Sequence, residues 1–121
     1  MSPGKTILIV EDDRDVRESL AVFLEGEGYS VVEAEHGKEA LRCLRSSTDF
    51  CLILLDLFMP VMNGWAFRDE QLRDPSLATI PVVVISADAG TSQKAAALGA
   101  VDAMVKPIEF DRLLQTVAHH C

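Results

Sequence analysis

With 121 residues, 49% of them apolar and 25% charged, the chain has the length and balance of one globular domain spanning residues 1–121, and not of a disordered tail or a fibrous repeat. Nineteen acidic against eleven basic residues leave a formal charge of −8, which argues against the basic face that direct nucleic-acid binding requires and suits a protein that meets other proteins. No apolar run approaches the roughly 20 residues that span a bilayer, and the polar start "MSPGKT" before a short "ILIV" is not a signal peptide, so the expectation is the cytoplasm without a membrane role.

Five short β-branched or apolar runs follow one another along the chain: "TILIV" (6–10), "SVVEAE" (30–35), "CLILL" (51–55), "PVVVIS" (81–86) and "AMVK" (103–106). Helical patterns separate them, and that alternation predicts a βα-repeated α/β fold around a parallel sheet. The first, third and fourth runs are apolar without alternation, as central strands covered on both faces must be, whereas "SVVEAE" reads as an edge strand. After the first run, Val16, Leu20, Phe23 and Leu24 form one apolar stripe at helical spacing, and Gly26 and Gly28 end that helix. A second helix is predicted from about Gly37 to Ser46 through Ala40, Leu41 and Leu44. The pattern is weaker for a third helix after Gly64 and a fourth around Thr91 to Leu98, and clear again for a last one through Phe110, Leu113, Leu114 and Val117. Cys43, Cys51 and Cys121 are odd in number, widely spaced and without CxxC, so neither a disulfide framework nor a zinc site is expected. Cys43 and Cys51 are read as small buried hydrophobes, and Cys121 receives no assignment.

Chemistry collects at the strand ends, because in an open parallel sheet ligands bind outside the carboxyl edge where strand order reverses. The first strand ends in Glu11, Asp12 and Asp13, the third in Asp56, the fourth in Ser86, and the fifth in Lys106 followed by Pro107. Asp13 begins a helix and is expected to cap it by accepting from first-turn N–H groups. Glu11, Asp12 and Asp56 would converge on one small volume, where like charges repel unless something positive neutralises them. Lys106 can do so, and so can a divalent cation, with an all-oxygen set that favours Mg²⁺ over a softer metal. Each residue alone has an ordinary structural explanation. Together they form a site fit for phosphoryl transfer, which depends on positioning and charge neutralisation.

In "ILIVEDD" (7–13), "LLDLFMPVMNG" (54–64), "PVVVISA" (81–87), "LGA" (98–100) and "VKP" (105–107) the sequence resembles the receiver domain of two-component response regulators, across essentially its whole length. The resemblance implies a flavodoxin-like (βα)₅ fold, a doubly wound five-stranded sheet of order 2-1-3-4-5, with helices one and five on one face and two, three and four on the other. It implies that Asp56 accepts a phosphoryl group from a histidine kinase or histidine phosphotransfer protein, in a Mg²⁺-dependent reaction that switches interactions with a downstream protein. Glu11, Asp12, Asp56 and the backbone carbonyl of Phe58 correspond to the Mg²⁺ ligands, Ser86 to the hydroxyl that bonds the phosphoryl group, and Lys106 to its ion-pair partner. The Lys106–Pro107 bond is cis in the family, and the protein is expected as a monomer or a phosphorylation-dependent dimer.

The match departs from the family at Ala103, three before the lysine, where Tyr or Phe is common, and at Ile108, where Phe is common. Without the aromatic rotor the alternative reading is a phosphate relay or sink with weak switching output. The small-residue stretch 88–100 is expected to be mobile at its start, because Gly90 and Thr91 disfavour early helix. Phe58 and Asp88 flank the approach of hydrolytic water with opposing effects, so no lifetime follows from sequence. The chain is not expected to be an enzyme: a hydrolase with an aspartyl nucleophile carries a second aspartate where Phe58 stands. A flavin protein of this topology needs a phosphate-cradling loop where "EDDRD" (11–15) stands.

Overall fold

A computed structural model describes residues 6–46, 49–88 and 90–121. The first five residues of the polar start and residue 89 of the small-residue stretch lie outside the described residues. Strands and helices alternate as β1 (Thr6–Val10), α1 (Arg14–Gly26), β2 (Ser30–Ala34), α2 (Gly37–Ser46), β3 (Phe50–Asp56), α3 (Gly64–Arg73), β4 (Val82–Ser86), α4 (Thr91–Ala97), β5 (Asp102–Val105) and α5 (Phe110–His120). All four strand pairings are parallel, in the order β2-β1-β3-β4-β5, so β1, β3 and β4 are central as their unbroken apolar runs require.

Successive side chains of a strand point to opposite faces, and here each face meets its own helical layer. Ile7, Ile9, Leu52, Leu54, Val83 and Ile85 pack with Leu20 and Leu24 of α1 and Leu113 and Val117 of α5. Leu8, Val10, Ile53, Leu55, Val82 and Val84 pack on the other side with Ala40 and Leu44 of α2, Phe67 of α3 and Ala95 of α4. Because both faces are buried, every residue of β1 from Ile7 to Val10 is inaccessible. The fold is therefore the flavodoxin-like doubly wound sheet.

Local endings follow the chemistry of the chain. Gly28 takes a positive φ of 96°, which glycine adopts at little cost, and Tyr29 N–H returns to Leu24 O at 3.1 Å to close the last turn of α1. The buried stripe of α1 is rotated from the sequence expectation: Arg17, Leu20, Ala21 and Leu24 are buried, while Val16 and Phe23 are half-buried. Arg17 earns its place by donating to Glu11 O at 2.8 Å and pairing with Glu33 at 3.3 Å. Strand β3 ends at Asp56, before Met59 and Pro60, because Leu57 already leaves the ladder for the α3 turn. Helix α4 begins at Thr91, where the sequence pattern places it, and the Thr91 hydroxyl is buried and donates to Asp88 O.

The cysteine expectation is corrected. Cys51 and Cys121 form a disulfide, with Cα atoms 5.4 Å apart, and Cys43 is the free thiol. Cys51 faces the α1–α5 layer at the start of β3, where the C-terminal end of α5 arrives after running back along the sheet. Their separation of 70 residues leaves no spacing signal in the sequence.

Candidate functional site

Strand register decides which side chains meet at the carboxyl edge. Val10 lies opposite Leu55, Asp56 opposite Ile85, and Ser86 opposite Val105, so Glu11, Asp56, Ser86 and Lys106 emerge side by side from four neighbouring strands. The three acids after β1 separate into three roles. Asp13 caps α1, accepting from Asp15 N–H at 2.9 Å and Val16 N–H at 3.3 Å. Glu11 turns inward, fully buried, and its Oε2 accepts from Asp13 N–H at 3.0 Å. Asp12 is exposed at the mouth.

Carboxylate oxygens of Glu11, Asp12 and Asp56 lie within 4.8 Å of one another. Asp56 is only 4% exposed, and its Oδ1 accepts from Phe58 N–H at 3.3 Å. Lys106 Nζ sits against Glu11 Oε1 and 3.5 Å from Asp56 Oδ2, so one cation faces a group of three acids. Burial pushes the Glu11 carboxyl up to about 7, with the Lys106 hydrogen bond pulling against it and the charge of Asp56 adding to the rise. Burial also raises Asp56, opposed chiefly by the charge of Lys106. For Lys106, burial disfavours the ammonium, but its hydrogen bond to Glu11 and the charge of Asp56 outweigh that and leave the net shift upward.

The remaining charge deficit is what a divalent cation would supply. Glu11 Oε1 is buried with no partner besides the Lys106 ammonium, which it shares with Asp56. Hard oxygen donors around an under-compensated buried acid, with Asp12 open to solvent, fit Mg²⁺ and leave room for its waters.

Ser86 is fully buried at the end of β4, where its Oγ accepts from Asp88 N–H at 3.2 Å. Lys106 is tied to the same strand end by its N–H, 2.8 Å from Ser86 O, and the Lys106–Pro107 bond is cis. The loop carrying Phe58 is held tightly to β3. Gly64 N–H donates to Leu57 O at 2.9 Å, and a Cβ at Gly64 would lie 2.8 Å from Leu57 Cα and 2.9 Å from Asp56 O. Within the loop Val61 has φ 67° and Met62 N–H reaches Pro60 O at 2.7 Å, a tight turn uncommon for a β-branched residue.

Ala103 lies on β5 at a cavity of about 300 Å³ lined also by Ser92, Ala95, Ala96, Ala100 and Arg112. The space beside it is open, not filled by another large side chain. Sequence reasoning missed Arg17 and Lys94. Arg17 looks like a solvent-facing helical charge until β2 supplies Glu33, and Lys94 meets its partners only through the fold: it pairs with Asp88 and its Nζ lies 5.2 Å from the Phe58 ring centroid.

A doubly wound sheet with this set of groups on its carboxyl edge defines a phosphoryl-accepting signalling domain of the receiver type. A family model described as the response regulator receiver domain matches residues 7–118, and the chain belongs to that family. Among curated relatives, the transcriptional regulatory protein CrdR of Helicobacter pylori is 40% identical over 111 residues, covering 90% of this chain and 51% of its own length. Among solved structures, the chemotaxis protein CheY4 of Vibrio cholerae superposes with a TM-score of 0.87 at 28% identity, over 98% of this chain and 99% of that one. The response regulator TrrA of Thermotoga maritima, solved in complex with Mg²⁺ and BeF, gives 0.84 at 29% identity over 97% of this chain and 99% of that one. The chain spans about half the length of most of the curated relatives it matches. No helix among the described residues is long and apolar enough to cross a membrane.

Proposed function

We propose that Asp56 is the residue that accepts the phosphoryl group, from a phosphohistidine of a histidine kinase or histidine phosphotransfer protein. The observation that carries this reading is the buried Asp56 carboxylate held between Lys106 and the acids Glu11 and Asp12 at the end of a central strand. An Asp56 oxygen forms the new bond to phosphorus, the P–N bond to the donor imidazole breaks, and the imidazole leaves neutral, keeping the proton already on its other ring nitrogen. An aspartate is a weak nucleophile, so in-line positioning and charge neutralisation supply the acceleration. Lys106, 3.5 Å from Asp56 Oδ2, would pair with phosphoryl oxygens, and Ser86 Oγ would donate to one of them. Mg²⁺, held by Glu11, Asp12, Asp56 and the Phe58 carbonyl, would add positive charge shared by the carboxylates and the phosphoryl oxygens.

The added charge and acceptor oxygens draw on Ser86 and Lys106 and so bias the surrounding loops. In this reading the domain signals and takes part in its own phosphorylation and dephosphorylation, without turnover of a substrate. Its setting is the cytoplasm, as a monomer or a phosphorylation-dependent dimer. Ala103, with open space and no aromatic ring, is the observation behind the second reading, a relay or sink with weak output.

Incubation with a small phosphodonor and Mg²⁺ should label the protein once, and Asp56→Asn should abolish the label. Labelling of Asp56→Asn at the parent's level would remove Asp56 from this role. Chelation of Mg²⁺ should lower the labelling rate by at least about tenfold, since one unneutralised charge contact at the transition state is typically worth more than 1.4 kcal/mol.

A further inference from the structure

A chain of contacts runs from Asp56 to Ser86 through Lys94 and Asp88, two residues outside the receiver motifs. Phe58 N–H is bonded to Asp56 Oδ1, and the Phe58 ring, half exposed, lies under the Lys94 ammonium at 5.2 Å. Lys94 pairs with Asp88 Oδ2, which also accepts from Gly90 N–H at 2.9 Å, and Asp88 N–H returns to Ser86 Oγ. The loop after β3 and the loop after β4 are thus joined across the mouth of the site by one side chain rooted in α4. Trp65, the only tryptophan, meets the Phe58 ring in a T-shaped arrangement at 5.3 Å.

We propose that Lys94 is a positioning residue that bridges Phe58 and Asp88 across the mouth of the Asp56 site, shielding the phosphorylated aspartate from water and tying α4 to the site. The shielding rests on Asp56 being the acceptor; the bridge itself does not. Hydrolysis requires water to attack phosphorus as the bond to the Asp56 oxygen breaks, releasing inorganic phosphate and the free carboxylate. A Phe58 ring held in place by a cation on its face narrows the path to that phosphorus, whereas a free ring swings toward solvent. The Lys94 ammonium has two partners, the aromatic face and the carboxylate, so loss of either loosens its hold on the other. The bridge also gives α4 a connection to the site that does not pass through Ala103. When Ser86 Oγ turns to a phosphoryl oxygen, Asp88 loses a backbone anchor, and the change reaches Lys94 and α4 directly.

The test compares the parent with Lys94→Met, Lys94→Arg, Asp88→Asn and Phe58→Ala. Acrylamide quenching of Trp65 in the unphosphorylated protein reads the bridge alone. Quenching should rise by about half or more in Lys94→Met and Asp88→Asn as Phe58 becomes mobile, and Lys94→Arg, which keeps the charge and stacks on an aromatic face, should restore it. In protein labelled with a small phosphodonor and then freed of it, loss of label should be about three- to fivefold faster in Lys94→Met and Phe58→Ala, the scale of one partly exposed cation–π contact and one partly exposed ion pair. Lys94→Met with unchanged quenching overturns the bridge, and unchanged label loss in a variant with raised quenching overturns the shielding. A parent that takes no label refutes the acceptor assignment, and quenching then decides the bridge by itself.

Discussion

Glu11 sits in an environment far from its ordinary one: a carboxyl without solvent, raised by burial to about 7, with one ammonium shared between it and Asp56. Between its ordinary value of 4.5 and about 7, the folded protein keeps a proton that the unfolded chain has released. The folded state then binds more protons than the unfolded one, so stability must fall as pH rises through that window. Asp56, also raised, acts in the same direction. Asp74 and Asp88 are held below the usual 3.8 by hydrogen bonds from Ser76 and Lys94, and their opposite contribution falls below that window. Urea midpoints measured from pH 4.5 to 8 without Mg²⁺ should therefore decline, and Mg²⁺, which binds the ionised carboxylates, should flatten the decline. A midpoint that rises with pH across the window would contradict the charge balance described for the site.

At the scale of elements, the position of the site depends on how closely α3 approaches β3. Gly64 is the first residue of α3, and a side chain there would press on the backbone of Leu57 and on Asp56 O, neither of which can yield as a flexible side-chain tip would. Gly64→Ala should gain up to about 1 kcal/mol of helix propensity but lose about 1–3 kcal/mol to overpacking. The net expectation is destabilisation by about 1 kcal/mol with slower labelling, because the displaced backbone carries Asp56, the proposed acceptor. Chemical denaturation and a labelling time course measure the two effects, and unchanged values for both would show that α3 can retreat without moving β3. The element boundaries themselves were legible in part. Ala40, Leu41 and Leu44 mark α2 at its observed limits of Gly37–Ser46, because an isolated amphipathic stripe follows from side-chain order alone. The start of α4 was legible at Thr91 as well, but the hydroxyl-to-carbonyl bond that holds it there was not, since that bond depends on the path of the preceding loop.

For the whole molecule, the Cys51–Cys121 bond ties the end of α5 to the start of β3, on the far side of the sheet from the site. Under denaturing, non-reducing conditions one thiol, Cys43, should react, and two more after reduction. Closing a loop of this size typically stabilises by about 2–4 kcal/mol, so reduction should lower the thermal midpoint by about 5 °C or more. Three reactive thiols in the oxidised, denatured protein would show that the bond does not form in solution. Such bonds are uncommon in reducing cytoplasm, which makes the comparison of aerobically purified and reduced protein the informative one.

What the sequence by itself determined is the set of strands, the central character of β1, β3 and β4 and the edge character of β2, and the polar residues that β1, β3, β4 and β5 deliver to the carboxyl edge. Those features follow from local order: two-sided burial demands unbroken apolar runs, and the residue after the last buried position is where a polar group can surface. The EDD triplet, Asp56, Ser86 and Lys106 were readable for that reason, and register brought them together as their order implied. Only the tertiary structure decided the pairings between groups far apart in the chain. Arg17 with Glu33, Cys51 with Cys121, and Lys94 with Phe58 each join residues whose proximity comes from layer packing and loop path. No periodicity encodes such pairs, because the separation along the chain is unrelated to the distance the fold leaves between them.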